Sequence, residues 1–430
     1  MNKLITFASL AAVGALSLQG QAVDGSGRPW SVSAKLRGFY DDNYRTTPSD
    51  LTPEAKEYLG GVDEESWGVN FAPGIKYVLL RDQTTLTASL DYDMRWYEAQ
   101  PSSKEFDHTV RAEIAASHAF SERFRLDFFE SPVYSEEPSI LEPNGGQASY
   151  VRTDGNAWRN YAGIGLTTGL TEQLGSRLGY SNTYYNYRDD GAGSISALLD
   201  RMEHLATADL RWQFQPAIIG LVGYQYGYFD YTSGDQLWYT ETPDSTVPES
   251  DARNQESHYG FLGVDYTALP GLTAQIRAGV NYARYPNADV DDVTAPFVDA
   301  ALAYEYMEGS KVSVGVKHDL RPTDVAIAKT DDLSSFTVSQ EATTVYAFVA
   351  HRIFPKLIGT LRGSWQQGTF EEGMYDGDSD NFYTVDVNLA YEITANFAAE
   401  AGYAYDKLDS DLPLREYDRN RFYVGVKATY

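Results

Sequence analysis

Cysteine is absent from the 430 residues of the chain, which excludes a disulfide-stapled scaffold, thiol catalysis and cysteine-held metal. Beyond the first 22 residues, no stretch approaches the roughly 18 uninterrupted apolar residues that a membrane-spanning helix needs. Basic residues are scarce, 34 Lys and Arg against 61 Asp and Glu, and the net charge of −27 argues against nucleic acid and anionic surfaces as partners. Histidines number six, and no serine stands in a Gly-x-Ser-x-Gly setting. Asp107-His108 and His318-Asp319 are adjacent pairs. On a strand, adjacent residues point to opposite faces, so neither pair makes a catalytic dyad. There is no Gly-rich phosphate cradle and no His/Cys cluster. The chain reads as a non-enzyme without a cofactor or a metal.

What is abundant is aromatic. Aromatic residues make up 14% of the chain, with 33 Tyr, side chains that collect where one end is apolar and the other wet. They sit within a strict alternation. In the last residues, Phe422, Val424, Val426, Ala428 and Tyr430 share one face, and Arg421, Tyr423, Gly425, Lys427 and Thr429 the other. A one-sided period of two ending on a terminal aromatic predicts the closing strand of an outer-membrane β-barrel. The same alternation runs through Trp30–Tyr40, Trp67–Leu79, Thr85–Trp96, Leu272–Tyr282 and Tyr383–Tyr391. Strands of about 10 to 14 residues exceed the 5 or 6 usual in soluble sheets.

Short connections (80–84, 121–123, 171–175, 215–217, 268–271, 308–310, 355–356, 394–396) alternate with long ones. The long ones fall near 41–65, 98–107, 135–156, 189–201, 232–256, 286–296, 321–341, 370–380 and 407–419. Short periplasmic turns and long outer loops predict an all-β transmembrane antiparallel barrel of about 18 strands. The faces of 174–188 and 342–351 are ambiguous, which leaves 16 strands open. Lys3, the apolar run Leu4–Leu16 and Gly20-Gln21-Ala22 read as a secretory signal peptide over 1–22, with the barrel over 23–430. The expected location is the outer membrane of a Gram-negative-type bacterium.

Sorting charge by face gives an inward wall of Lys35, Arg37, Lys76, Arg95, Arg111, Arg125, Arg211, Arg277, Lys317, Arg362 and Lys427. The acids on it are Asp91, Glu113, Asp127, Asp209, Asp299, Asp386 and Glu400. The wall is mixed and slightly positive, so the acid surplus belongs to the outer loops, as in Asp289-Val-Asp-Asp292 and Asp376-Gly-Asp-Ser-Asp380. Alternating carboxylates in the latter could hold Ca²⁺, but the run lacks the Gly and distal Glu of an EF-hand loop. An aromatic followed by Asp recurs at strand ends (Tyr40-Asp41, Phe229-Asp230, Tyr405-Asp406) and predicts a rim Tyr followed by a first loop residue in water. His118, His204 and His351 are expected at the lipid face or rim.

Tyr40-Asp41-Asp42-Asn43 and the closing Arg421-Phe-Tyr-Val-Gly-Val-Lys-Ala-Thr-Tyr430 resemble the type 2 family of outer-membrane β-barrel porins. The resemblance implies a channel-forming barrel, and members are often associated with exopolysaccharide export. It carries over no functional residue beyond those named.

An 18-stranded barrel is wide enough for an aqueous path. The sequence therefore predicts passive diffusion of small hydrophilic solutes or saccharides, with an inward-folding outer loop, 135–156 or 232–256, setting selectivity. The alternatives are an exopolysaccharide-export barrel, or a closed barrel for surface adhesion. The expected partners are outer-membrane lipid and the solute itself. A homo-oligomer is open, but nothing in the sequence marks a protomer interface.

Overall fold

The computed structural model describes residues 28–52, 64–100, 106–136, 157–239, 247–329 and 335–430. The proposed signal peptide and most of the 135–156 loop lie outside them.

Eighteen strands form one sheet. In chain order they are β1 (Trp30–Asp41), β2 (Ser66–Arg81), β3 (Thr84–Tyr97), β4 (Phe106–Ser121), β5 (Phe124–Ser135) and β6 (Ala157–Gly169). Next come β7 (Leu174–Tyr187), β8 (Arg201–Gln215), β9 (Ile218–Tyr231), β10 (Gln255–Tyr266), β11 (Leu272–Arg284) and β12 (Val293–Met307). The last six are β13 (Ser310–Arg321), β14 (Ser339–Phe354), β15 (Leu357–Glu371), β16 (Ser379–Glu392), β17 (Phe397–Ser410) and β18 (Tyr417–Thr429). Each strand pairs antiparallel with its neighbours in sequence, and β1 pairs with β18, so the sheet closes and leaves no edge. A short helix, α1 (Ile195–Leu199), and a 3-10 turn at Ser250–Arg253 lie in outer loops. The strand count is eighteen, and exposure settles the faces of 174–188 and 342–351: Leu178, Tyr180 and Val345 point outward, Tyr185 and Ala342 inward.

Alternation divides the wall as the sequence predicts. On β18, Phe422, Val424 and Val426 are 51%, 65% and 48% exposed, while the inward Tyr417 and Arg419 are buried. Charge on the outward face of a barrel is costly at the membrane midplane, and inward positions escape that cost. Aromatic rings mark both rims: Trp30 and Tyr430 lie together near the periplasmic turns, and Tyr40 packs on Trp67 at the outer ends.

All six histidines face outward near strand ends. In each, Nδ1 meets a cross-strand hydroxyl: Tyr92 (His108), Thr84 (His118), Tyr180 (His204), Tyr224 (His258), Thr343 (His318) and Tyr306 (His351). Asp107 and Asp319, their sequence neighbours, turn inward to Gln100 and to Tyr259 with Asn281.

Inside, four aromatic rings lie over glycines directly across the ladder: Phe39 over Gly68, Phe261 over Gly223, Tyr346 over Gly315 and Tyr423 over Gly402. In each case the missing Cβ supplies the space that the ring occupies, a device that pins strand register.

Candidate functional site

The register places the inward candidates together on the lumen side of the wall. Arg37 on β1 reaches across β18 to Glu400 on β17, Nη2 to Oε2 2.5 Å, and lies over the Tyr423 ring. Arg125 and Asp127 pair along β5 at 3.2 Å. Arg111 stands opposite Asp91, Glu113 and Lys76 opposite Ser89, and Arg95 opposite Asn70, with Arg95 paired to Asp93. Arg362 faces Asp386 across the β15–β16 ladder, and Asp299 sits between Arg277 and Lys317. Lys427 lies opposite Lys35.

The densest cluster spans β8 to β11. Asp265 receives both Arg211 and Arg277, the latter at 2.6 Å, while Arg211 lies 3.5 Å from Asp209. Both guanidinium side chains are nearly fully buried. Burying one of these charges alone would be prohibitive, and sharing a carboxylate offsets that cost. Asp265, Arg177 and Asp93 are wall charges that the sequence sorting omits. Position along an assigned face, not composition, is the signal that finds them.

The rim expectation for Tyr40-Asp41 and Tyr405-Asp406 is corrected. Tyr40 does sit at the rim, but Asp41 is 0% exposed and Asp406 4%. Alternation dictates this, since an outward Tyr40 turns Asp41 into the barrel, where Arg419 on β18 grips it through Nε at 2.9 and 3.0 Å. Asp42 accepts from the Asn420 amide at 2.6 Å and its side chain at 2.7 Å. Asn43 donates to the Asp418 and Thr47 carbonyls. These contacts latch the first strand to the residues just before the closing segment, and the ladder sets Tyr40 and Asp41 opposite Phe422 and Arg421 within it.

Above the wall, outer loops pack inward. Ala283, Ala295 and Ala342 face the lumen near the outer ends of β11, β12 and β14, yet are 0%, 1% and 0% exposed. Ala283 and Ala295 pack with Leu320 and against Val293, and Val293 in turn borders an apolar core that the loops share: Leu237 and Ala252 after β9, Tyr285 after β11, and Ala326, Phe336 and Val338 after β13, with Leu198 of α1 against it.

Arg253 ties this cap together. Its guanidinium donates to Leu198 O at 2.9 Å and Thr323 O at 2.5 Å, and lies over Tyr231. Burial pulls its pKa below the ordinary arginine value. In the β17–β18 loop, Arg415 bridges Asp324 and Asp380, each at 2.8 Å. Burial opposes that charge, but the two carboxylates outweigh it and hold the Arg415 pKa above its usual value. The 232–256 segment thus contributes to a composite of several loops.

Asp376 and Asp380 do not converge on a cation. Asp376 accepts from the Glu372 amide and Asp380 is held by Arg415 and Ser410.

A closed barrel with a charged inner wall and an inward cap is the geometry of a pore protein. The family model described as "Putative beta-barrel porin 2" matches residues 135–430. The chain belongs to this family. The porin is an outer-membrane β-barrel of the channel type. No curated protein matches it. Among solved structures it is similar to OccAB4 of Acinetobacter baumannii (11% identity, TM-score 0.43, covering 95% of this chain and 100% of that one). It is also similar to a BenF-like porin of Pseudomonas fluorescens Pf-5 (12%, 0.43, covering 93% and 99%) and to OpdK of Pseudomonas aeruginosa (12%, 0.42, covering 93% and 99%).

Proposed function

We propose that this porin passes small hydrophilic solutes or saccharides by passive diffusion, along the inward charges from Lys35 to Lys427 and beneath the loop cap. One observation carries the reading: the ion pairs of the wall run along it. Arg37–Glu400 and Arg211–Asp265 skip a single strand, Arg277–Asp265 joins neighbours, and Arg125–Asp127 stays on one strand. Charges paired this way coat a conduit, whereas pairs reaching across the barrel would fill it. A coated wall with both signs favours water and polar solutes over apolar ones. The cap over the β9–β14 side narrows the entrance, which suits small solutes better than a polymer in transit.

Purified porin inserted in a planar bilayer should give discrete conductance steps in salt, and added saccharides should reduce current up to a size cut-off. Folded, inserted protein that stays silent would refute the channel. Steps indifferent to every saccharide would refute that part of the substrate range.

A further inference from the structure

Four inward glycines of the wall are filled by rings, but two on β6 and β7 are not. A Cβ at Gly163 would meet nothing nearer than 3.7 Å, and one at Gly179 nothing nearer than 3.9 Å. Their partners across the β6–β7 ladder are small as well, Gly163 opposite Ser181 and Gly179 opposite Gly165. The result is a recess in the lumen wall. The flank from β9 to β12 is filled instead, with Leu221, Tyr259 and Phe261 packed together against Phe297.

Tyr161 overlooks the recess. Among the described inward rings of the strands it alone is as much as 38% exposed, whereas Phe39, Phe229, Tyr259 and Phe261 are at most 7%. Phe129 packs beside it, with ring centroids 5.4 Å apart and planes inclined at 51°. Ser131 and Thr183 flank it across the two ladders. On the periplasmic side lies Arg177, with Nη2 3.2 Å from where a Cβ of Gly165 would stand. This guanidinium makes no hydrogen bond or ion pair with any described residue, and its Nε is buried without an acceptor. Asp127 and Asp209 attract it while Arg125 and Arg211 repel it, so the charges around it balance and none takes up its N–H groups.

From Tyr161 to Gly165 the strand runs about 13 Å, at roughly 3.3 Å per residue. Within that length lie an open ring face, flanking hydroxyls and a guanidinium with donors to spare. A pyranose has the matching two-sided chemistry: an apolar C–H face that lies on an aromatic ring, and a rim of hydroxyl oxygens that accept hydrogen bonds. We propose that the recess is a saccharide subsite within the lumen. The sugar stacks on Tyr161 above Gly163 and Gly179, and its hydroxyl oxygens accept from Arg177. This rests on the passage of polar solutes proposed above and names the class that the wall holds on its way through.

Binding can be measured without current, by saturation-transfer NMR of methyl β-glucopyranoside with the whole porin in detergent micelles. Wild type should bind it in the millimolar range. Tyr161→Ala should weaken binding about fivefold, and Gly163→Leu, which fills the recess, at least as much. Tyr161→Phe should keep most of the affinity, and Arg177→Leu should lower it. Tyr383→Ala, which removes an outward ring of the same 38% exposure, should change nothing. Each variant is checked as folded by its heat-modifiable migration. Glucoside binding that survives both Tyr161→Ala and Gly163→Leu would overturn the subsite, and so would its complete absence from wild type. Gluconate, an open-chain anion, binding as tightly as the glucoside would overturn it in favour of a plain anion site. A porin that conducts but binds no glucoside loses the subsite and keeps the channel, whereas one that binds through Tyr161 but stays silent keeps the subsite and loses the channel.

Discussion

Gly402 is defined by what lies above it. The Tyr423 ring fills the place of its Cβ and in turn holds Arg37 and accepts from Asn388 at 2.8 Å. Gly402→Ala should therefore cost about 1–3 kcal/mol, the range for overpacking a tight site, read as a lower temperature for loss of the folded band on a heat-modifiability gel. Gly38, with nothing near its missing Cβ, should accept Ala far more cheaply. Arg419 sets a larger scale. Removing it by Arg419→Met leaves the buried Asp41 carboxylate only its longer contact to Arg421, 3.6 Å, a loss of about 3 kcal/mol, the lower end for breaking a buried pair. Asp41→Asn combined with it should recover part of that. Neither site was legible from residue types alone. A glycine in a strand looks like a weak point, and an Asp after a rim Tyr looks like a loop residue, until register says which side chains share a face.

At the scale of elements, the strands were legible and the loops were not. Alternation depends only on which face meets lipid, so every short turn and nearly every strand end follows from the chain itself. The cap depends on contacts among segments as far apart in sequence as Leu198 and Val338, for which no local pattern exists. Its apolar residues, Leu237, Phe336 and Val338, sit in otherwise polar stretches.

Arg253→Ala should loosen this cap without unfolding the barrel, and the expected result is a larger and noisier single-channel conductance. The cap is also tied to pH. Burial raises the pKa of Asp200 above the ordinary carboxylate value, against the donors Ser196 and the Tyr187 amide. A raised folded pKa contributes stability that is complete below the ordinary value and is lost as pH rises through the raised one. Channel noise should therefore rise as pH is raised through the carboxylate range, and Asp200→Asn should narrow the change.

For the whole molecule, two charge layers act over different distances. The acidic outer loops act through water, so their reach is one Debye length, about 8 Å at physiological salt and about 3 Å at 1 M. The wall charges lie along the proposed path and are screened less. Cation preference in dilute salt should therefore weaken, and turn toward anions, as salt is raised, and the reversal potential across a fixed gradient reads this directly. Neutralising Asp289, Asp291 and Asp292 together should remove the dilute-salt preference and leave the concentrated-salt value unchanged. The sign of each layer could be read from the sequence, because lipid leaves charge only two places to go. Their separation in space could not.

The seam between β1 and β18 has one more consequence. Val32 and Tyr430 exchange backbone hydrogen bonds of 2.8 Å in both directions, and Arg28 lies over the Tyr430 ring. The two ends of the described chain are thus side by side on the periplasmic face. A few residues of linker would join them, and new termini could be opened at any of the other periplasmic turns. Such a circular permutant would keep every strand pairing while Asp41 and Arg419 became partners within one hairpin. The pair that now waits for the final strand to arrive would then form early, which separates the latch's part in assembly from its part in the finished barrel.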